Sequence, residues 1–158
     1  MKKRFNHLLL VVLSLSFSGC GFFAPATYDA KQYNAIHQAA LDGDTVKLRE
    51  LLHDHLQLVN KADYDKNTPL HLATLHDRLD SVNFLLSDGA NVNAQNAKNM
   101  TPLHFAAQQG FADVAKSLLS HNADVNIKDS RGWTALVWAE KAHHTNIVDL
   151  LTGNVGHP

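Results

Sequence analysis

The sequence predicts an all-α solenoid of about four helix–turn–helix units joined by short β-hairpin loops. Three observations predict it. A six-residue block recurs at fixed spacing, the apolar residues after each block follow helical periodicity, and a Val-Asn pair repeats in the same phase. Thr68-Pro69-Leu70-His71-Leu72-Ala73 returns 33 residues on as Thr101-Pro102-Leu103-His104-Phe105-Ala106, and again as Thr134-Ala135-Leu136-Val137-Trp138-Ala139. Asn34-Ala35-Ile36-His37-Gln38-Ala39 precedes them at an offset of 34. Val59-Asn60, Val92-Asn93 and Val125-Asn126 keep the 33-residue step, so one residue is inserted between Leu52 and Val59, in the stretch His53 to Leu58. A period of this length identifies a stacked repeat rather than one closed core.

Each element follows from its residues. Thr68, Thr101 and Thr134 stand where a helix N-cap belongs, with Asn34 in that place in the first unit. Pro69 and Pro102 come next, at the first helical position, where a missing backbone N–H costs nothing. Leu70 and Ala73, like Leu103 and Ala106, lie three apart and share one helix face. A second helix is marked by Leu48, Leu51 and Leu52, then by Val82, Leu85 and Leu86, then by Ala115, Leu118 and Leu119, all at i, i+3, i+4. Gly89 and Asn122 follow, as residues able to end a helix in a left-handed conformation. The units are read as about 34–67, 68–100, 101–133 and 134–153, within a repeat domain of 33–154. No such unit can bury its apolar face alone, so the units must stack. Terminal units have only one neighbour, which fits Asn34-Ala35 in place of Thr-Pro and Val137 in place of His.

With this period and the Thr-Pro-Leu-His-x-Ala block, the chain resembles the ankyrin-repeat family over about residues 33–153. The family prefers glycine at a hairpin position that Gly132 keeps but Lys66 and Asn99 do not. Asn tolerates the positive φ of such a turn and Lys does so poorly, which leaves the geometry at Lys66 open. The resemblance implies a partner protein meeting the hairpin tips and first helices, which line one concave face. Carried onto this sequence, the partner-binding positions are Tyr64, Asp65, Asn67, Leu75, His76, Lys98, Met100, Gln108, Gln109, Arg131, Trp133 and Lys141. Tyr64, Arg131 and Trp133 are of the types that dominate interface energetics. An exposed Met100 would suit an adaptable contact. Trp133 has an alternative use in packing against the final helix.

The first residues read differently. Lys2, Lys3 and Arg4 precede an apolar run, Leu8 to Phe17, broken only by Ser14 and Ser16. That run is half the roughly twenty residues a spanning helix needs, and it suits a signal peptide over residues 1–19. Phe17-Ser18-Gly19-Cys20 resembles the lipobox of bacterial lipoproteins, with Phe17 where Leu is usual. The resemblance implies lipidation of Cys20, a tether over residues 20–32 and, with Gly21 rather than Asp next, an outer-membrane lipoprotein facing the periplasm. A soluble periplasmic or secreted domain is the alternative. Cys20 is the one cysteine of the chain, so no internal disulfide is available.

The composition excludes some functions. The chain has 158 residues, 14 Lys and Arg against 15 Asp and Glu, and a net charge of -1, so no basic excess suggests nucleic acid. Gly-x-Ser-x-Gly and glycine-rich phosphate loops are missing, and no catalytic residue or cofactor is expected. Among 11 histidines, His37, His71 and His104 belong to the repeated block and are expected to brace adjacent units. His53-Asp54-His55, in a stretch expected to be loop, and His143-His144 lack the ligand pattern of a zinc site. The sequence therefore predicts a monomeric, non-enzymatic protein-interaction module. The alternatives are an immunity or inhibitor protein that blocks a toxin or envelope enzyme and, behind it, a metal-handling protein.

Overall fold

The second, third and fourth units begin where a threonine, Thr68, Thr101 or Thr134, turns an extended segment into a helix. The computed structural model describes residues 35–154. The signal segment, Cys20, the tether and the Asn34 cap lie outside the described residues. First helices α1 (35–42), α3 (Pro69–Leu75), α5 (Pro102–Gln109) and α7 (Ala135–Lys141) alternate with second helices α2 (Thr45–Asp54), α4 (Leu79–Ser87), α6 (Ala112–Ser120) and α8 (Thr145–Asn154). First helices pack on first helices and second on second, giving two layers.

Thr68 and Thr101 hold extended conformations before α3 and α5, with Pro69 and Pro102 starting the helices. The capping boxes are closed by histidine: the Thr68 N–H donates to His71 Nδ1 and the Thr101 N–H to His104 Nδ1, both at 3.1 Å. α3 and α7 have only 7 residues and α5 has 8, too short to persist alone, so they stand by packing. The packing is a continuous apolar sheet between the layers. Leu70, Ala73, Leu103, Ala106, Ala135 and Ala139 come from the first helices; Leu48, Leu52, Val82, Leu85, Val114, Leu118, Ile147 and Leu151 come from the second. Each buried leucine contributes about 1.5–3 kcal/mol.

Backbone conformation repeats with the sequence. Among the described residues, positive φ occurs at three places in the unit: between its helices (Gly43, Asp77, Gly110, His143), after the second helix (Gly89, Asn122) and at the hairpin tip (Lys66, Asn99, Gly132). Lys66, at φ 60, therefore takes the same turn as Asn99 at 54 and Gly132 at 80. The hairpins are held by an Asp or Asn side chain. Asp63 Oδ1 accepts the Asn67 N–H at 2.8 Å, Asn96 Oδ1 accepts those of Lys98 and Met100, and Asp129 Oδ1 accepts those of Arg131 and Trp133. One backbone bond closes each arm, as in Asn96 N–H to the Met100 carbonyl, and no strand is assigned among the described residues.

The inserted residue is absorbed at the end of the second helix. α2 has 10 residues against 9 in α4 and α6, and leads into a 3-10 turn, Leu56–Asn60, that buries Leu58 and Val59. His53 is therefore in the last turn of α2, not in a loop: its neighbour Leu52 is buried and keeps the helix against the core.

A histidine on one layer and an asparagine on the other recur as links from one unit to the next. Nε2–H of His37, His71 and His104 donates to the carbonyls of Asn67, Met100 and Trp133, at 3.1–3.2 Å. These acceptors are the last residues of three successive hairpins. Val137 takes the histidine's place in α7, behind which no described hairpin lies. On the other layer, Asn60 donates to the Gly89 carbonyl and accepts the Asn91 N–H, and Asn93 does the same with Asn122 and Asp124.

Candidate functional site

The hairpins are aligned by these braces and by bonds between tips. The Ala97 N–H donates to the Asp65 carbonyl at 2.8 Å and the Ser130 N–H to the Lys98 carbonyl at 2.9 Å. Asp65, Lys98 and Arg131 occupy the same position in successive hairpins, so their charges form a row along one edge. Between that row and the first helices lies a cleft of about 240 Å³. Its floor includes Phe105 and Gln108 of α5 and Trp138 of α7; its wall includes Asn67, Asn96, Met100 and Asp129.

The unit-four end is aromatic and cationic. Trp133 and Trp138 meet edge to face, with ring centroids 5.2 Å apart. The Arg131 guanidinium lies 5.3 Å from the Trp133 ring and 5.2 Å from that of Trp138, and Lys141 Nζ lies 4.7 Å from Trp133. Trp138 is fixed by its indole N–H, which donates to Asp129 Oδ2 at 3.0 Å. Burial opposes ionisation of Asp129, but the N–H groups of Trp133 and Arg131 and the Trp138 indole outweigh it and hold its carboxyl below the usual range. Its charge is spent on the loop.

Two of the bracing histidines, His71 and His104, are held towards the neutral form by burial. Burial lowers the His71 pKa from 6.5 to about 4, against the opposing pull of the Met100 carbonyl. Nδ1 accepts a backbone N–H, so a second proton there would face a donor. Burial likewise lowers His104, whose partners one unit on are the Thr101 N–H and the Trp133 carbonyl.

The partner-binding positions read from the sequence divide. Asp65, Asn67, Lys98, Met100, Gln108 and Arg131 line the cleft. Trp133 and Lys141 adjoin it through the ring contacts above. Tyr64 is fully exposed at its hairpin tip, His76 caps α3 in solvent, Gln109 is exposed on α5, and Leu75 is half-buried in the last turn of α3; none of these four lines the cleft. Met100 is a correction: it is 5% exposed, not a surface contact. Its N–H is held by Asn96 and its carbonyl by His71, which draws the end of the hairpin inward. Trp133 is half-buried and packs on Trp138 of α7, not on the final helix α8, because the Trp138 ring meets it edge to face.

Phe105 and Trp138 were not anticipated. They hold the variable place of the repeated block, with Leu72, and an aromatic residue there was the available signal. His71 packs edge-on against Phe105, 5.9 Å between centroids, so the brace also positions the cleft floor. The other histidine clusters each have one member bound within the fold. His53 Nδ1 contacts Asp54 at 2.7 Å in solvent, and His144 Nε2 donates to the Gln108 carbonyl at 3.2 Å. Among the described residues, no three His, Cys, Asp or Glu side chains gather as metal ligands, and no helix is long and apolar enough to cross a membrane.

The comparisons agree with this architecture. The family model described as ankyrin repeats (3 copies) matches residues 4–96 and 89–157. The chain is 50% identical over 56 residues to the serine/threonine-protein kinase VIK of Arabidopsis thaliana, covering 35% of this chain and 13% of the kinase. It is 44% identical over 62 residues to an ankyrin repeat protein of fowlpox virus, 39% of this chain and 15% of the viral protein. It is 38% identical over 66 residues to the human transient receptor potential cation channel subfamily A member 1, 41% of this chain and 6% of the channel. The chain thus spans a small fraction of these relatives. Repeat period, capped helices, two-layer stack and family match lead to one statement: the chain belongs to the ankyrin-repeat family, a generally non-enzymatic fold of protein–protein interaction.

Proposed function

We propose that this protein is an envelope-anchored interaction module that captures one partner protein in the cleft between the hairpin tips and α5 and α7. The observation that carries the capture is the unit-four end of the cleft, where the Arg131 guanidinium lies within cation–π distance of Trp133 and Trp138, with Lys141 on Trp133 and Lys98 in the cleft lining. These are the residue types that concentrate binding energy at interfaces. The anchor rests on the basic start, the short apolar run and Phe17-Ser18-Gly19-Cys20. A lipidated Cys20 would hold the module at the outer membrane, facing the periplasm, since more than one acyl chain makes attachment firm.

Two measurements test the halves separately. Lipid labelling of the full chain is expected and should vanish in Cys20→Ala; labelling that survives removes the anchor. Crosslinked capture from envelope extract should lose its partner in Arg131→Glu with Trp138→Ala. Equal capture by that variant removes the cleft. An inhibitor or immunity protein is the narrower form of the same reading, and protection of cells from a toxin on expression would select it.

A further inference from the structure

The cations of the last two hairpins and α7 have no carboxylate partner among the described residues. Lys98, Lys128, Arg131 and Lys141 form no ion pair with any carboxylate among the described residues; the Lys and Arg pairs present are Lys47–Glu50 and Lys116–Asp113, both exposed and within one helix. Asp129 offers them nothing, because Oδ1 takes two backbone N–H groups and Oδ2 takes the Trp138 indole. The tip ladder fixes the order of charge along the edge as Asp65, Lys98, Arg131. Adjacent positions are one repeat apart, roughly 10 Å, the spacing of packed helices. The floor beneath is Phe105 and Trp138.

From this arrangement we infer that the cleft takes an extended acidic peptide segment of the partner. Its carboxylates would pair with Lys98 and Arg131, and its apolar side chains would lie on Phe105 and Trp138. The inference rests on the cleft reading above and names its ligand chemistry. Arg131 is suited to the role: its guanidinium lies within cation–π distance of both indole rings and carries five N–H donors, enough to serve a carboxylate as well. A nucleic acid fits less well. The chain has no net basic charge, and Asp65 at the other end of the row repels a uniform phosphate backbone while tolerating a peptide that is neutral there.

The chain's 2 tryptophans are both at this site, so tryptophan emission, excited beyond the absorption of its 3 tyrosines, reports on the cleft. The probe is a blocked hexapeptide of alternating leucine and glutamate, titrated into the full chain and followed by fluorescence and calorimetry. Binding should saturate, shift the tryptophan emission, weaken with added salt, and fall about tenfold in Arg131→Gln, the usual size of one lost charge-assisted contact. Lys98→Gln, which touches neither tryptophan, should weaken it as well; circular dichroism checks that both variants keep their helices. An equal response to the leucine–glutamine peptide overturns the inference. So does unchanged binding in both variants, or tighter binding of a twelve-residue oligothymidylate, which would make the site a nucleic-acid site. If the peptide fails while partner capture still depends on Arg131 and Trp138, only the acidic chemistry is wrong. If both fail, the cleft is not the binding surface.

Discussion

At the scale of single residues, backbone strain and proton binding make separate predictions. Lys66 holds a left-handed turn that Gly132 occupies two units later. That conformation costs a residue with a Cβ about 1–2 kcal/mol, partly offset by the greater freedom glycine loses on folding. Lys66→Gly should therefore stabilise the fold by about 0.5–1 kcal/mol, read as a higher urea midpoint at unchanged slope. His71 links stability to acid. The unfolded ring takes a proton near pH 6.5 and the folded ring only near 4. The unfolded state binds more protons between those values, so the contribution of His71 is complete above pH 6.5 and is lost as pH falls towards 4. The gap corresponds to about 3 kcal/mol. Urea unfolding across pH 7.5 to 4 should show that loss, and His71→Leu, though less stable throughout, should show a shallower slope. An unchanged slope would mean the brace stays neutral for no energetic reason. The sequence disclosed these histidines because they sit in the repeated block. It did not disclose the burial of Met100, which depends on an acceptor bond to a ring 29 residues away.

At the scale of elements, contacts between consecutive units decide which glycines matter. Arg78 Nε–H donates to the Leu41 carbonyl, and His144, in the corresponding place two units later, donates to that of Gln108. Each folds over the turn of the preceding unit. A Cβ on Gly110 would come within 2.8 Å of the His144 ring, whereas one on Gly89 would meet nothing within 4 Å. Both glycines have positive φ. Gly89→Ala should therefore cost only the backbone strain, about 1 kcal/mol. Gly110→Ala should cost about 2–3 kcal/mol, because the ring must swing out and release its carbonyl. Thermal melts of the two variants, each against the parent, measure the difference; equal losses would mean the His144 contact contributes nothing. Helices were the legible part of the fold because caps and apolar spacing are local properties. The hairpins were legible as turns. The want of strands among the described residues was not, because it follows from Asp63, Asn96 and Asp129 capturing the N–H groups that a longer ladder would use.

At the scale of the whole molecule, the stack is a chain of neighbours: among the described residues, the side-chain bonds between units join consecutive ones. α3–α6 are packed on both sides, while among the described residues α1–α2 and α7–α8 have a neighbouring unit on one side only. The braces follow the same rule: His71 and His104 each join one unit to the next, and Val137 joins α7 to nothing described. In such a solenoid the free energy of opening adds up from unit and interface contributions, so the ends should open first. Hydrogen exchange should show the slowest amides in α5, around Ala106 and Ala107, and exchange at least about tenfold faster in α8 and α2, equivalent to one interface contribution of about 1.4 kcal/mol. The gradient has a functional consequence. The cleft spans α5 and α7, so its floor joins the most protected helix to a terminal one. A partner held by Arg131 and Trp138 would tie the terminal unit to the centre, and protection in α7 and α8 should rise on binding while that in α2 stays as it was. Uniform protection from end to end would instead show that the units open together, and the neighbour-by-neighbour account of this fold would fail.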